Sequence, residues 1–107
     1  MEKQRVMIVA SIRKNNDIEW LKEIVFKHSD LWLITDKKSA EILARGNILS
    51  RIPSDKLVVY AGRNPEETAL RIYKVTTPDV VYVCDNYGVL KSITDFIKYA
   101  PVKTIFC

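Results

Sequence analysis

The chain has 107 residues, room for one domain of ordinary size and little more. Apolar residues make up 48% and charged residues 28%, with only 3 Gly and 4 Pro, which excludes a low-complexity or collagen-like chain. Lys and Arg number 17 against 13 Asp and Glu, a net charge of +4, but they are spread along the chain rather than focused as a nucleic-acid reader needs.

No apolar run approaches the roughly 18 residues of a membrane span, and no signal-type segment precedes the first apolar run. The expectation is a cytoplasmic protein with no membrane partner. Gln4 is the single glutamine, while Ile, Val, Lys and Tyr are common, a balance compatible with a thermophilic source.

Arg5 to Ala10 reads as a first strand, apolar on both faces. Ser11 to Asp17 is polar, with Asn16 placed to cap a helix whose apolar stripe is Ile18, Leu21, Ile24, Val25 and His28. His28, the only histidine, falls at that helix's end with no ligand-type residue at metal spacing. Leu31 to Thr35 is a second strand, followed by a loop and helix start at Thr35-Asp36-Lys37-Lys38-Ser39. Ile42, Leu43, Ile48, Leu49 and Ile52 mark a helical segment, broken at Arg45-Gly46-Asn47, where Gly and Asn tolerate the left-handed conformation. Lys56 to Tyr60 is the third strand.

Asn64-Pro65-Glu66-Glu67 carries the clearest local signal: Asn as cap, Pro in the first helical position, and Glu67 where a capping box places its carboxylate. Ala69, Leu70, Ile72, Tyr73 and Val75 form that helix, which Thr77-Pro78 ends. Asp79 to Cys84 is the fourth strand, with Val80-Val81-Tyr82-Val83 again demanding cover on both faces. Val89, Leu90, Ile93, Phe96 and Ile97 give a fourth helix, and Val102 to Phe106 a last strand.

Strand–helix alternation repeated four times predicts one α/β domain over 1–107: a three-layer α/β/α sandwich with a five-stranded parallel sheet. It is Rossmann-like or flavodoxin-like, with strand order 3-2-1-4-5 or 2-1-3-4-5. Ligands of such sheets bind beyond the carboxyl ends of the strands. The loops predicted there carry Ser11, Arg13 and Lys14; Thr35, Lys37 and Lys38; Arg63 and Asn64; and Asp85 and Asn86. These are the candidate ligand-binding residues, and Asp85 is the one candidate for a catalytic base or acceptor. Cations at a helix N-terminus oppose the dipole, so Lys37 and Lys38 call for an anion or a nearby acid, with Asp36 the adjacent candidate.

The standard cradles are missing. No Gly-x-Gly-x-x-Gly follows the first strand, and there is neither a P-loop nor a Gly-x-Ser-x-Gly elbow. Asp85 has no second acid beside it, which argues against a dedicated divalent-metal site. Where receiver domains have paired acids after the first strand and another after the third, this chain has Ser11-Ile12 and Ala61-Gly62. No cofactor is indicated.

In length and order the chain resembles methylglyoxal synthase-like domains. Val9-Ala10 after the first strand, Trp20 in the first helix and Val80 to Asp85 fall in comparable places. Ile12 stands where that family has its acid, Thr35-Asp36-Lys37-Lys38-Ser39 replaces its phosphate loop, and Asn64-Pro65 replaces its Gly-Asp. The resemblance therefore implies a related architecture, not the lyase reaction, and carries over Asp85 alone. Gly62-Arg63-Asn64 and Val80 to Asp85 are also similar to segments of the nucleotide-binding half of inverting glycosyltransferases, whose Asp-x-Asp reads Asp85-Asn86-Tyr87 here.

Three functions are weighed from these residues. The first is binding of a phosphate- or carboxylate-bearing small molecule at the sheet edge. The second is a protein–protein or assembly role, including a homo-oligomer. The third is weak nucleic-acid association. Separately, Cys84 and Cys107 end the fourth and fifth strands. Those strands are neighbours in either order, about 4.8 Å apart, within reach of a disulfide. In a mesophilic cytosol both thiols stay reduced, whereas a hyperthermophilic source permits the bridge.

Overall fold

The computed structural model describes residues 4–28, 30–46 and 48–107. Its five strands are β1 (Arg5–Ala10), β2 (Asp30–Asp36), β3 (Leu57–Tyr60), β4 (Val80–Cys84) and β5 (Lys103–Phe106). They form one wholly parallel sheet of order β3-β2-β1-β4-β5, which settles the order in favour of the Rossmann-like arrangement. Four α-helices connect them: α1 (Asn15–Lys27), α2 (Lys37–Arg45), α3 (Pro65–Thr76) and α4 (Lys91–Ile97). Among the described residues no helix is long and apolar enough to cross a membrane.

The two uninterrupted apolar runs occupy the middle of the sheet because only there are both faces covered. β1 lies between β2 and β4, with Ile8 level with Leu33 on one side and Tyr82 on the other. Val6, Ile8 and Ala10 pack with Ile18, Leu21 and Val25 of α1 and Leu43 of α2. Met7 and Val9 alternate to the other face, against Ala69 and Ile72 of α3 and Leu90, Ile93 and Ile97 in and before α4. Each Val, Leu, Ile or Met side chain fully buried in this way contributes about 1.5–3 kcal/mol of transfer free energy. Trp20 and Trp32 are half-buried against these two cores, as packing rather than as free stacking platforms.

At the amino ends of the strands, polar contacts fasten four of them. Asp30 at the start of β2 takes Lys56 Nζ at 2.8 Å, ahead of β3, and Arg5 Nε of β1 at 3.3 Å. Asp79 before β4 accepts the Arg5 N–H at 2.9 Å.

Several local expectations need correction. α1 begins at Asn15 after Lys14, so Asn16 is not its cap. The Asp17 carboxylate instead accepts the Lys14 N–H at 3.0 Å and the Arg13 N–H at 3.1 Å, which satisfies the entering backbone from within the helix. No loop separates β2 from α2: β2 runs through Thr35 and Asp36, and α2 starts at Lys37.

The long segment expected over residues 42–52 is α2 followed by a separate 3-10 turn, Ile48–Arg51. Gly46 ends α2 with φ −87°, not in the left-handed region. Close approach favours glycine there, because a Cβ would come within 3.2 Å of Ile18 Cδ1 of α1. Asn47 lies outside the described residues, as does the Leu49 side chain.

Asn64 does precede α3, with Pro65 opening the helix, but it sits at φ 49° and makes no side-chain cap. Capping by Asn needs extended backbone that aims the side chain at the first-turn amides. The Asn64 carbonyl still accepts the Thr68 N–H at 2.9 Å, the ordinary first bond of the helix, while the side chain caps no first-turn amide. Thr77 ends α3 at φ 40° and donates its N–H to the Tyr73 carbonyl.

Candidate functional site

In this strand order the connections from β1 and β4 leave on opposite faces, α1 and α2 on one and α3 and α4 on the other. The carboxyl ends of β1 and β4 are therefore where an open α/β sheet places its ligand crevice. Ser11 follows β1 and Asp85 follows β4. The Ser11 N–H donates to the Cys84 carbonyl at 3.3 Å, adding a rung beyond the last paired residues.

This crevice is bridged by the loop after β4. The Tyr87 N–H donates to the wholly buried Ser11 Oγ at 3.3 Å, and the Tyr87 hydroxyl donates to Asp17 Oδ2 at 2.7 Å. Asp85 holds that loop in place: its Oδ2 accepts the Leu90 N–H at 2.9 Å and its carbonyl accepts the Gly88 N–H at 3.2 Å. Gly88, at φ +70°, supplies the left-handed residue this turn requires. Asp85 Oδ1 is buried without a donor among the described residues. Asn86 is exposed.

Next to Tyr87, Arg13 joins the loop after β1 to the end of β2. Its guanidinium pairs with Asp36 at 2.9 Å, and donates to the Ile12 carbonyl at 2.7 Å and to Ser39 Oγ at 2.9 Å. Ser39 also hydrogen-bonds Asp36, and the Ile12 N–H donates to Ser39 Oγ at 2.7 Å. The Tyr87 ring lies 5.8 Å from the Arg13 guanidinium carbon, within cation–π range. Thr35 is buried and donates to the Ala10 carbonyl at 2.6 Å, so its role is to join β2 to β1.

The charges follow from these contacts. Burial pushes the Asp36 carboxyl up, but the Ser39 hydroxyl and the Arg13 guanidinium outweigh it and hold the group below the ordinary 3.8. Asp17 is likewise held low: burial opposes, while the Tyr87 hydroxyl and the Arg13 and Lys14 amides prevail. The Asp17 carboxylate, accepting that hydrogen bond, raises the Tyr87 phenol above 10.0.

Beside this cluster, on the α1–α2 face, lies a cavity of about 290 Å³ lined by Arg13, Asn15, Ile18, Ile42, Arg45 and Gly46. Ile18, Ile42 and Gly46 give it apolar walls, and Asn15 brings the first turn of α1. Arg13 Nε and one Nη2 hydrogen take no acceptor among the described residues, nor does Arg45 pair with a carboxylate there. Lys14, Lys37 and Lys38 are exposed near the same edge, without ion pairs among the described residues. The acid Asp36 is committed to Arg13 rather than to Lys37 or Lys38.

The predicted site residues therefore divide. Ser11, Arg13, Thr35 and Asp85 lie around the ends of β1, β2 and β4, each with a side-chain bond to nearby backbone: the Tyr87 N–H, the Ile12 carbonyl, the Ala10 carbonyl and the Leu90 N–H. Asn64 lies on the opposite face, lining a second cavity with Pro65, Glu66, Glu67, Leu70 and Phe96, and the adjoining Arg63 is exposed. Arg45 was not singled out by the sequence, where it is one basic residue in the last turn of a helix. Among the described residues no three His, Cys, Asp or Glu side chains converge as a metal site would need. His28 follows α1 with its ring 6.1 Å from that of Tyr82.

The fold and this edge define a small doubly wound α/β domain with a switch-point crevice bridged by Tyr87 and an arginine-lined cavity beside it. No protein-family model, curated protein or solved structure matches the chain.

Proposed function

We propose that this chain is a binding domain for a small anionic molecule, a phosphate or carboxylate, held between α1 and α2. The observation that carries the reading is the cavity of about 290 Å³ in which Arg13 and Arg45 converge with Asn15. Two guanidiniums suit this task because each offers paired, planar donors that match carboxylate and phosphate oxygens. Arg13 is pre-oriented by Asp36, Ser39 and the Ile12 carbonyl, so binding would cost it little side-chain freedom. The apolar walls from Ile18 and Ile42 favour a ligand with a small apolar body.

The test is a thermal-shift screen against inorganic phosphate, nucleotides, sugar phosphates and dicarboxylates, run on the wild type and on Arg45→Gln. A ligand at 100 times its dissociation constant stabilises the folded state by about 2.7 kcal/mol. For a domain of this size that is an increase of about 10 °C in melting temperature. Arg45 is exposed, so the variant should melt with the wild type when unliganded and lose most of the ligand-induced rise. No stabilisation by any anion, or a full rise retained in Arg45→Gln, would overturn the reading.

A further inference from the structure

On the face opposite the arginine-lined cavity, and independently of it, three large apolar or aromatic side chains stand exposed together. Leu70 is 52% exposed, Phe96 38% and Tyr99 81%. They border a groove between α3 and the end of α4. One cavity, about 300 Å³, lies toward Tyr73, Tyr99 and Pro101; the other, about 510 Å³, lies toward Asn64 and Pro65. The two share Glu66, Leu70 and Phe96, so they are halves of one continuous trough.

Charge along α3 indicates what covers it. Glu66 and Glu67 are exposed in the first turn, Arg71 and Lys74 in the second half, and none of them has an ion-pair partner among the described residues. Glu66 and Lys74 stand four residues either side of Leu70 and share its stripe of the helix. A two-fold axis through Leu70, perpendicular to α3, sets Glu66 of one copy against Lys74 of the other, twice. The same rotation carries Tyr99, at the Tyr73 end of the trough, over the Asn64 end of the second copy's trough. That half has the larger volume, apolar walls from Pro65, Leu70 and Phe96, and the Asn64 and Glu67 side chains as acceptors for a phenol hydroxyl. The helix is thus complementary to itself reversed, as an isologous interface requires.

We propose that the chain forms a two-fold homodimer through α3, each copy placing its Tyr99 in the Asn64 end of the other's trough. Burying Leu70, Phe96 and Tyr99 supplies the apolar centre, and the Glu66–Lys74 pairs set the register.

Light scattering coupled to size exclusion, from about 1 to 200 µM protein, tests it. Wild type is expected to be dimeric at the upper end of that range. Leu70→Glu and Tyr99→Ala, both at exposed positions, should give folded monomers with unchanged circular dichroism. Glu66→Lys should weaken the dimer at least tenfold by setting like charges together, and Glu66→Lys combined with Lys74→Glu should restore it. A wild type that stays monomeric at 200 µM, a dimer that survives Leu70→Glu, or a double variant that remains monomeric would each overturn the proposal.

Discussion

Removing the link between Cys84 and Cys107 is expected to lower the stability of this domain by about 3 kcal/mol, and its melting temperature by roughly 15 °C. The two sulfurs lie within bonding distance, with Cα atoms 4.8 Å apart, and no cysteine among the described residues is free. The bridge closes a loop across a sequence separation of 23 that contains all of α4. The unfolded chain would regain the entropy of that loop on reduction. In the folded state the bridge fastens an edge strand of only four residues, Lys103–Phe106, whose Phe106 is 64% exposed. Beyond it, the Cys107 N–H donates to the Val83 carbonyl at 3.0 Å. Cys107 is exposed, so a soluble reductant can reach it, whereas Cys84 is wholly buried. Thiol counting under denaturing, non-reducing conditions should find no free thiol. Two titratable thiols per chain, or a melting temperature indifferent to reductant and to Cys107→Ser, would contradict the expectation.

Arg13→Met should cost about 2 kcal/mol, and it should change the acid limb of the stability profile. The partners are about one-quarter and one-sixth exposed, 24% and 17%, so the effect falls short of breaking a fully buried pair. Its size comes from what is left behind: a largely buried Asp36 carboxylate supported by Ser39, and an Ile12 carbonyl without its donor. A carboxyl held below its unfolded value stabilises the folded state above that value, and the contribution is lost as pH falls through the folded one. Wild-type stability from Asp36 should therefore be intact down to about pH 4 and decline below it. Without Arg13 the Asp36 carboxyl is held less far below its unfolded value, so the acid-side decline should be smaller and should end at higher pH. Urea midpoints measured between pH 7 and pH 3 check both statements. A variant with the wild-type midpoint at pH 7 and the wild-type acid limb would show that the pair contributes nothing.

How much of this was legible in the chain follows from what kind of information each feature needs. The strands and helices were readable because their signals are local: Val80 to Val83 and Val6 to Ala10 cannot be half-exposed, and Ile18, Leu21 and Val25 recur at helical spacing. Alternation of the two kinds of element then forces a parallel sheet with right-handed crossovers. The nearness of Cys84 and Cys107 was readable for the same reason, since both admissible orders make their strands neighbours. The strand order was not readable, because β3 pairs with β2 through main-chain bonds that leave no mark on side-chain type.

The site depended most on three dimensions. Arg13, the neighbouring Asp36 and Ser39, and Tyr87 come from three separate stretches, and nothing in any one stretch announces the others. Asn64 looked like a helix cap by type, yet with its backbone at φ 49° its side chain makes no cap. Arg45 became a candidate only because the packing of α2 beside α1 sets it in the lining of the same cavity as Arg13. The sequence by itself determined which segments are strands, which are helices, and that their carboxyl ends share one edge, because period and stop signals act within a few residues. Tertiary structure alone decided that Tyr87 bridges the crevice, that Arg13 is tied to Asp36, and that a cavity lies beside Arg45, because those outcomes depend on which loops crossovers bring together.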